Sequence, residues 1–117
     1  MNNTALLILA GTETSESKAK FSLAMLAARE LFENDENFKV IIEGAAVNWI
    51  SEVLKEDHKI HSFFMKIKDK VEVCGYCASS FGVKEVSQEA GLHIATEYKG
   101  HPSIRNLIVE NYTILTY

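Results

Sequence analysis

Val71-Glu72-Val73-Cys74-Gly75-Tyr76-Cys77-Ala78-Ser79-Ser80-Phe81-Gly82-Val83 carries both cysteines of the chain. A β-branched run stops at the first thiol, the second follows three positions later, and small residues then lead to a glycine. The pattern predicts a strand that delivers Cys74 into a turn, followed by a short helical stretch near Ala78. A thiol at that junction faces the free N–H groups of a helix start, which favour thiolate and lower the pKa. The expectation is a chemically available sulfur.

Upstream, Ala5-Leu6-Leu7-Ile8-Leu9-Ala10 is apolar at every position, as in a central strand covered on both faces. Gly11-Thr12-Glu13-Thr14-Ser15 ends it as a polar loop with a Ser or Thr able to cap the next element. From about Ser17 to Asn34, Phe21, Ala24, Met25, Ala28, Leu31 and Phe32 recur at helical spacing. Leu23, Leu26 and Ala27 widen that stripe, as for a helix wedged between a sheet and another element or subunit. Phe38 to Glu43 predicts a second strand that stops at Gly44, a glycine suited to a tight turn. The helix between the two strands makes the connection a parallel crossover.

A short helix is expected over Ala45 to Leu54, and a second amphipathic one carries Ile60, Phe63, Phe64 and Ile67 to about Asp69. Beyond the cysteines, Lys84 to Ala90 reads as a polar segment, Gly91 precedes a short strand around His93-Ile94-Ala95, and Pro102 stands where it can open a helix. That helix takes its apolar face from Ile104, Leu107, Ile108 and Val109, and Tyr112 to Tyr117 forms a last strand. Five strands separated mostly by helices predict an α/β three-layer α/β/α sandwich with a largely parallel sheet, as a single domain spanning residues 1–117. Ligands of such sheets gather beyond the carboxyl ends of the strands. The loops there are Gly11 to Ser15, Glu43 to Val47, Cys74 to Ser80 and Tyr98 to His101, which nominate Gly11, Thr12, Glu43, Gly44, Gly75, Ser79 and His101 as residues lining a site around Cys74 and Cys77.

Twelve basic and sixteen acidic side chains give a formal charge of -4 without a basic, aromatic-interleaved stripe, so nucleic acid is excluded as a partner. The six-residue N-terminal apolar run is too short to span a membrane or to form a signal core, and a cytoplasmic protein with no membrane partner is expected. Two cysteines spaced C-x-x-C suit redox, sulfur or metal chemistry in a reducing compartment. Gly11 to Ser15 lacks the glycine spacing of a phosphate loop, and no cofactor is expected.

The order of these features resembles the DsrE-like superfamily of sulfur-relay proteins, which includes DsrE, DsrF and Tus subunits and YchN-like homo-oligomers. The resemblance covers most of the chain: the first strand and helix, the Glu43-Gly44-Ala45-Ala46-Val47 turn, Cys74 followed eight residues later by Gly82-Val83, a polar segment closing at Gly91, and the final Asn111-Tyr112-Thr113-Ile114-Leu115 strand. It implies a sulfurtransferase-like carrier that holds sulfane sulfur as a persulfide on Cys74. It also implies homotrimers or homohexamers, with sulfur donor and acceptor proteins or small thiols as partners. The chain departs from the pattern at the second thiol, Cys77, and at Ser80-Phe81, where basic residues are usual.

Other readings of the same residues stay open. Cys77 can resolve a persulfide or relay it, and the C-x-x-C also suits a thiol–disulfide oxidoreductase; equally, both cysteines can be inert core residues. His58 and His61 with Cys74 and Cys77 form an acceptable zinc set in a non-catalytic, oligomeric binding protein, or the histidines belong to a solvated basic face beside Lys59, Lys66 and Lys68. His101 and Lys99 can supply a cation to the thiolate, or sit exposed in a loop that caps the last helix. Glu43 can handle protons near the sulfur, or only end its strand. Trp49, Phe63, Phe64 and Phe81 fit core packing or a subunit interface.

Overall fold

The structure, a computed structural model, describes residues 2–117. Strands β1 (Asn3–Ile8), β2 (Asn37–Ile42), β3 (Val71–Cys74), β4 (His93–Ala95) and β5 (Tyr112–Thr116) form one sheet in the order β4-β3-β2-β1-β5. Every pairing is parallel, with Leu6 opposite Val40 and Leu115, Ile42 opposite Val73, and Cys74 opposite Ala95. Helices α1 (Ser15–Glu33), α2 (Trp49–Val53), α3 (His61–Lys66), α4 (Gly75–Ser80), α5 (Lys84–Glu89) and α6 (Ile104–Val109) complete the expected α/β sandwich. No helix among the described residues is long and apolar enough to cross a membrane.

The two faces of the sheet are covered unequally. Side chains alternate across a strand, so Leu6, Ile8, Val40, Ile42, Val71 and Val73 fall on one face, packed against Phe21, Ala24, Met25 and Ala28 of α1, Trp49, Ile50 and Val53 of α2, and Phe63 and Phe64 of α3. The other face has a smaller cluster, Ala5, Leu7 and Ile41 under Leu107 of α6. Its remainder carries the Lys39–Glu72 ion pair, at 3.1 Å. Strand order explains the difference. The chain steps outward from β1 through β2 and β3 to β4, then crosses once to the opposite edge for β5, and successive right-handed crossovers reverse face when the direction reverses.

Local chemistry sets the element ends. Thr14 caps α1, its hydroxyl oxygen accepting the Ser17 N–H at 3.0 Å. Phe21 stacks flat on Trp49, with centroids 4.1 Å apart, and the indole N–H donates to the Ala10 and Gly11 carbonyls. The Gly82-Val83 pair closes α4: Gly82 takes φ +72°, its N–H reaches the Ser79 carbonyl at 3.2 Å, and Val83 N–H reaches that of Ala78 at 2.8 Å. These two bonds make a Schellman cap, so the pair ends a helix rather than contacting the sulfur.

Several expected boundaries move. The polar segment from Lys84 is helical, because Val86 and Ala90 pack partly against the core and Ser87 returns its hydroxyl to the Val83 carbonyl. Ala45 to Leu54 divides into a 3-10 turn, Gly44–Asn48, and α2, while the stretch after α3 ends in a 3-10 turn, Lys68–Lys70. Pro102 does not open α6; Ser103 is the cap, accepting the Asn106 N–H, and Pro102 lies buried one residue earlier. Ile104, Ile108 and Val109 are exposed, since α6 lies alone on its face and presses only Leu107 inward. Of the four aromatics noted above, Trp49, Phe63 and Phe64 are buried and Phe81 is exposed.

Candidate functional site

Three neighbouring strands end at one level and bring together residues far apart in sequence. Glu43 follows β2 and begins the Gly44–Asn48 turn, with Gly44 at φ +64°. Cys74 ends β3 and is the N-cap of α4, its sulfur accepting the Cys77 backbone N–H at 3.4 Å. His101 arrives from beyond β4 on a two-residue turn. Tyr98 and His101 exchange both backbone hydrogen bonds at 2.8 Å, and Lys99 and Gly100 between them take positive φ, the requirement of a type I′ turn. The turn is pinned by the Tyr76 N–H, which donates to the Gly100 carbonyl at 2.8 Å, and by the Tyr76 ring stacked on His101 at 4.9 Å.

The four side chains that converge are Glu43, Cys74, Cys77 and His101, with one donor atom from each lying within 4.8 Å of all the others. His101 Nδ1 stands 3.1 Å from Cys74 Sγ and 3.0 Å from Glu43 Oε2. A ring nitrogen carries one proton at most. Nδ1 therefore serves the thiol and the carboxylate alternately, or shares one proton between them.

The expected lowering of the Cys74 pKa is overturned. The Cys77 N–H does favour thiolate, but burial dominates, and the neighbouring Cys77 thiol and Glu43 charge add to it; together they push the Cys74 thiol from 9.0 up to about 12. Nor does the sulfur stand open on a rim: Cys74 is 0% exposed and Cys77 9%, both as free thiols. The half-exposed His101 and the exposed Tyr76 lie beside it.

The other nominated residues have structural places. Gly75 is confined, since a Cβ there would lie 2.6 Å from Thr96 Cγ2. Gly11 sits against Ala45, where a Cβ would approach Ala45 Cβ to 3.0 Å. Among the described residues no hydrogen bond joins the side chain of Thr12 or Ser79 to the cluster, and Ser79 is exposed. His58 and His61 are not partners of the cysteines. His58 Nδ1 accepts the Ile60 N–H at 3.0 Å, and His61 Nδ1 lies 2.8 Å from the Val53 carbonyl, so both serve the backbone between α2 and α3. Lys99 lies over the Tyr98 ring rather than at the sulfur. The spacing of the chain signalled Glu43 and His101 only through their positions after strand ends.

No family model matches the chain. A solved structure, a conserved protein of unknown function, BT1422, from Bacteroides thetaiotaomicron, superposes with a TM-score of 0.64 at 17% identity over 97% of this chain and 94% of the other, a likeness of fold. An uncharacterized protein of Methanocaldococcus jannaschii, MJ0733, is 38% identical over 91 residues, which are 78% of this chain and 74% of that protein. The chain therefore belongs to the same family as MJ0733 of Methanocaldococcus jannaschii.

Proposed function

We propose that the protein is a DsrE-like sulfur carrier in which Cys74 accepts sulfane sulfur as a persulfide. The observation that carries the reading is the 3.1 Å approach of His101 Nδ1 to Cys74 Sγ. A thiol held near pKa 12 needs a base at the moment of attack, and an imidazole at hydrogen-bond distance can be that base.

The step balances without an external oxidant. His101 Nδ1 takes the Cys74 proton, and the resulting imidazolium is held by the Glu43 carboxylate. The thiolate attacks the outer sulfur of a donor persulfide, a new S–S bond forms on Cys74, the donor's S–S bond breaks, and the donor leaves as a thiolate that recovers the proton. The sum is donor–S–SH plus Cys74–SH giving donor–SH plus Cys74–S–SH. Cys77 can then attack the inner sulfur, which forms a Cys74–Cys77 disulfide and releases the sulfane sulfur as hydrogen sulfide. Alternatively it takes the outer sulfur and relays it.

A homo-oligomer belongs to the same proposal. Leu23 and Leu26 of α1 are 56% and 62% exposed, and beside them Ala27 and Tyr117 help to line an open cavity of about 590 Å³. Side chains of this kind on one helix face fit a subunit contact.

The test is incubation of reduced protein with a persulfide donor followed by intact-mass measurement. One added sulfur on Cys77→Ser, one added sulfur or the Cys74–Cys77 disulfide on the wild type, and neither on Cys74→Ser, is the expected result. Equal uptake by Cys74→Ser rejects the assignment.

A further inference from the structure

We infer that Glu43, Cys74, Cys77 and His101 also form a binding site for one zinc-class divalent cation. Four donor atoms carry this site independently of the proposed sulfur transfer. Two thiols, an imidazole and a carboxylate are a borderline-soft set suited to zinc, whereas magnesium and calcium take oxygen ligands.

The donor atoms lie in the range of a tetrahedral site, with the ring nitrogen too close to two of them. Zinc bonds of about 2.3 Å to sulfur and about 2.0–2.2 Å to nitrogen and oxygen set ligand–ligand separations of roughly 3.3–3.8 Å. The donor atoms here span 3.0 Å, from Nδ1 to Oε2, up to a limit of 4.8 Å. The two short contacts both belong to Nδ1, so drawing the ring back by a few tenths of an ångström opens the centre of the cluster. His101 can make that movement because its side chain is 35% exposed and rides on a two-residue turn.

Hydrogen bonding supplies a second reason. Without a cation, the single proton available at Nδ1 is contested by Sγ and Oε2, and the Cys77 thiol lies in the same enclosed group. A cation at the centre would take all four lone pairs at once. The ligands come from the ends of three adjacent strands, β2, β3 and β4, so the ion would also tie those ends together.

Binding is a proton exchange with no change of oxidation state. Each thiol releases one proton to solvent, four metal–ligand bonds form, and neutral imidazole, one carboxylate and two thiolates around a divalent cation leave a net charge of −1. Four protein ligands fill a tetrahedral site and leave no position for water. Metal and sulfane sulfur then compete for Cys74.

The experiment titrates reduced, chelator-treated protein with cobalt(II) as a spectroscopic probe, then adds zinc. The expected result is one cobalt per chain, with tetrahedral d–d bands and a thiolate-to-cobalt charge-transfer band that zinc abolishes. Cys77→Ser and His101→Ala should each weaken binding by roughly tenfold or more, and His58→Ala with His61→Ala should leave it unchanged. Circular dichroism of each metal-free variant establishes that it is folded, and sulfur uptake by the metal-free wild type is scored separately. Absence of the thiolate band, unchanged affinity in folded His101→Ala, or loss of binding on changing His58 and His61 overturns the assignment.

Discussion

His101 Nδ1 lies 3.1 Å from Cys74 Sγ although 27 positions separate the two residues. The contact exists because β3 and β4 are parallel neighbours in register at Cys74 and Ala95, and because the turn at Lys99-Gly100 folds the chain back over the sulfur. In the proposed transfer it makes the thiol depend on a base rather than on the helix start alone.

Replacing that base should slow sulfur uptake without moving its end point. In a Cys77→Ser background, His101→Ala is expected to lower the rate of persulfide formation by roughly 10²–10⁴-fold, the usual span for a positioned acid or base, while the final mass still shows one added sulfur. Stopped-flow rates on metal-free protein, together with end-point mass spectra, check this. An unchanged rate removes His101 from the mechanism.

The raised Cys74 pKa makes stability fall in alkali. The native state keeps the thiol proton up to about 12, whereas the unfolded chain releases it near 9.0. Between those values the unfolded state binds fewer protons, so unfolding becomes easier as pH rises; below the window the group's contribution is intact and independent of pH. Lys39 acts in the same direction above 10.5. Burial lowers its pKa, but the hydrogen bond and charge of Glu72 outweigh that and leave it raised. Urea midpoints of metal-free protein from pH 8 to about pH 10.5 should decline more steeply for the wild type than for Cys74→Ser. Parallel curves contradict the burial argument.

Gly75 packs closely against Ile94 and Thr96 at the end of β4 because it lacks a side chain. Gly75→Ala places a Cβ 2.6 Å from Thr96 Cγ2 and 3.1 Å from Ile94 Cγ2, and a cost of about 1–3 kcal/mol is expected. Thr96→Ser removes the nearer methyl and should recover part of that loss. Independent, additive effects in a double-mutant cycle of urea unfolding would show that the contact is not the cause.

The exposed leucines of α1 predict assembly. Light scattering should find a mass above that of one chain, and Leu26→Glu, which puts a charge on a residue already 62% exposed, should shift it toward the monomer while leaving far-ultraviolet dichroism intact. A monomeric wild type rejects the proposed contact.

Strand positions could be read from the chain because β-branched and apolar runs bounded by Gly11, Gly44 and Gly91 have few alternatives in a covered parallel sheet. The helix over Lys84–Glu89 could not, since its inward residues are Val86, Ser87 and Ala90, a stripe with too little apolar content to mark a period. Glu43 and His101 were indicated only as strand-end positions. Their meeting depends on which strands lie side by side, and no local pattern encodes that.

By itself the sequence determined the alternation of strands and helices and the delivery of Cys74 to a strand end; the turn expected after β3 is absent, because Cys74 itself caps α4, which begins at Gly75. Those features follow from side-chain periodicity and backbone freedom within a few residues. Tertiary structure decided the environment of the sulfur. Burial, the Glu43 charge and the His101 ring come from separate strand ends, and solvation and charge act through space rather than along the chain.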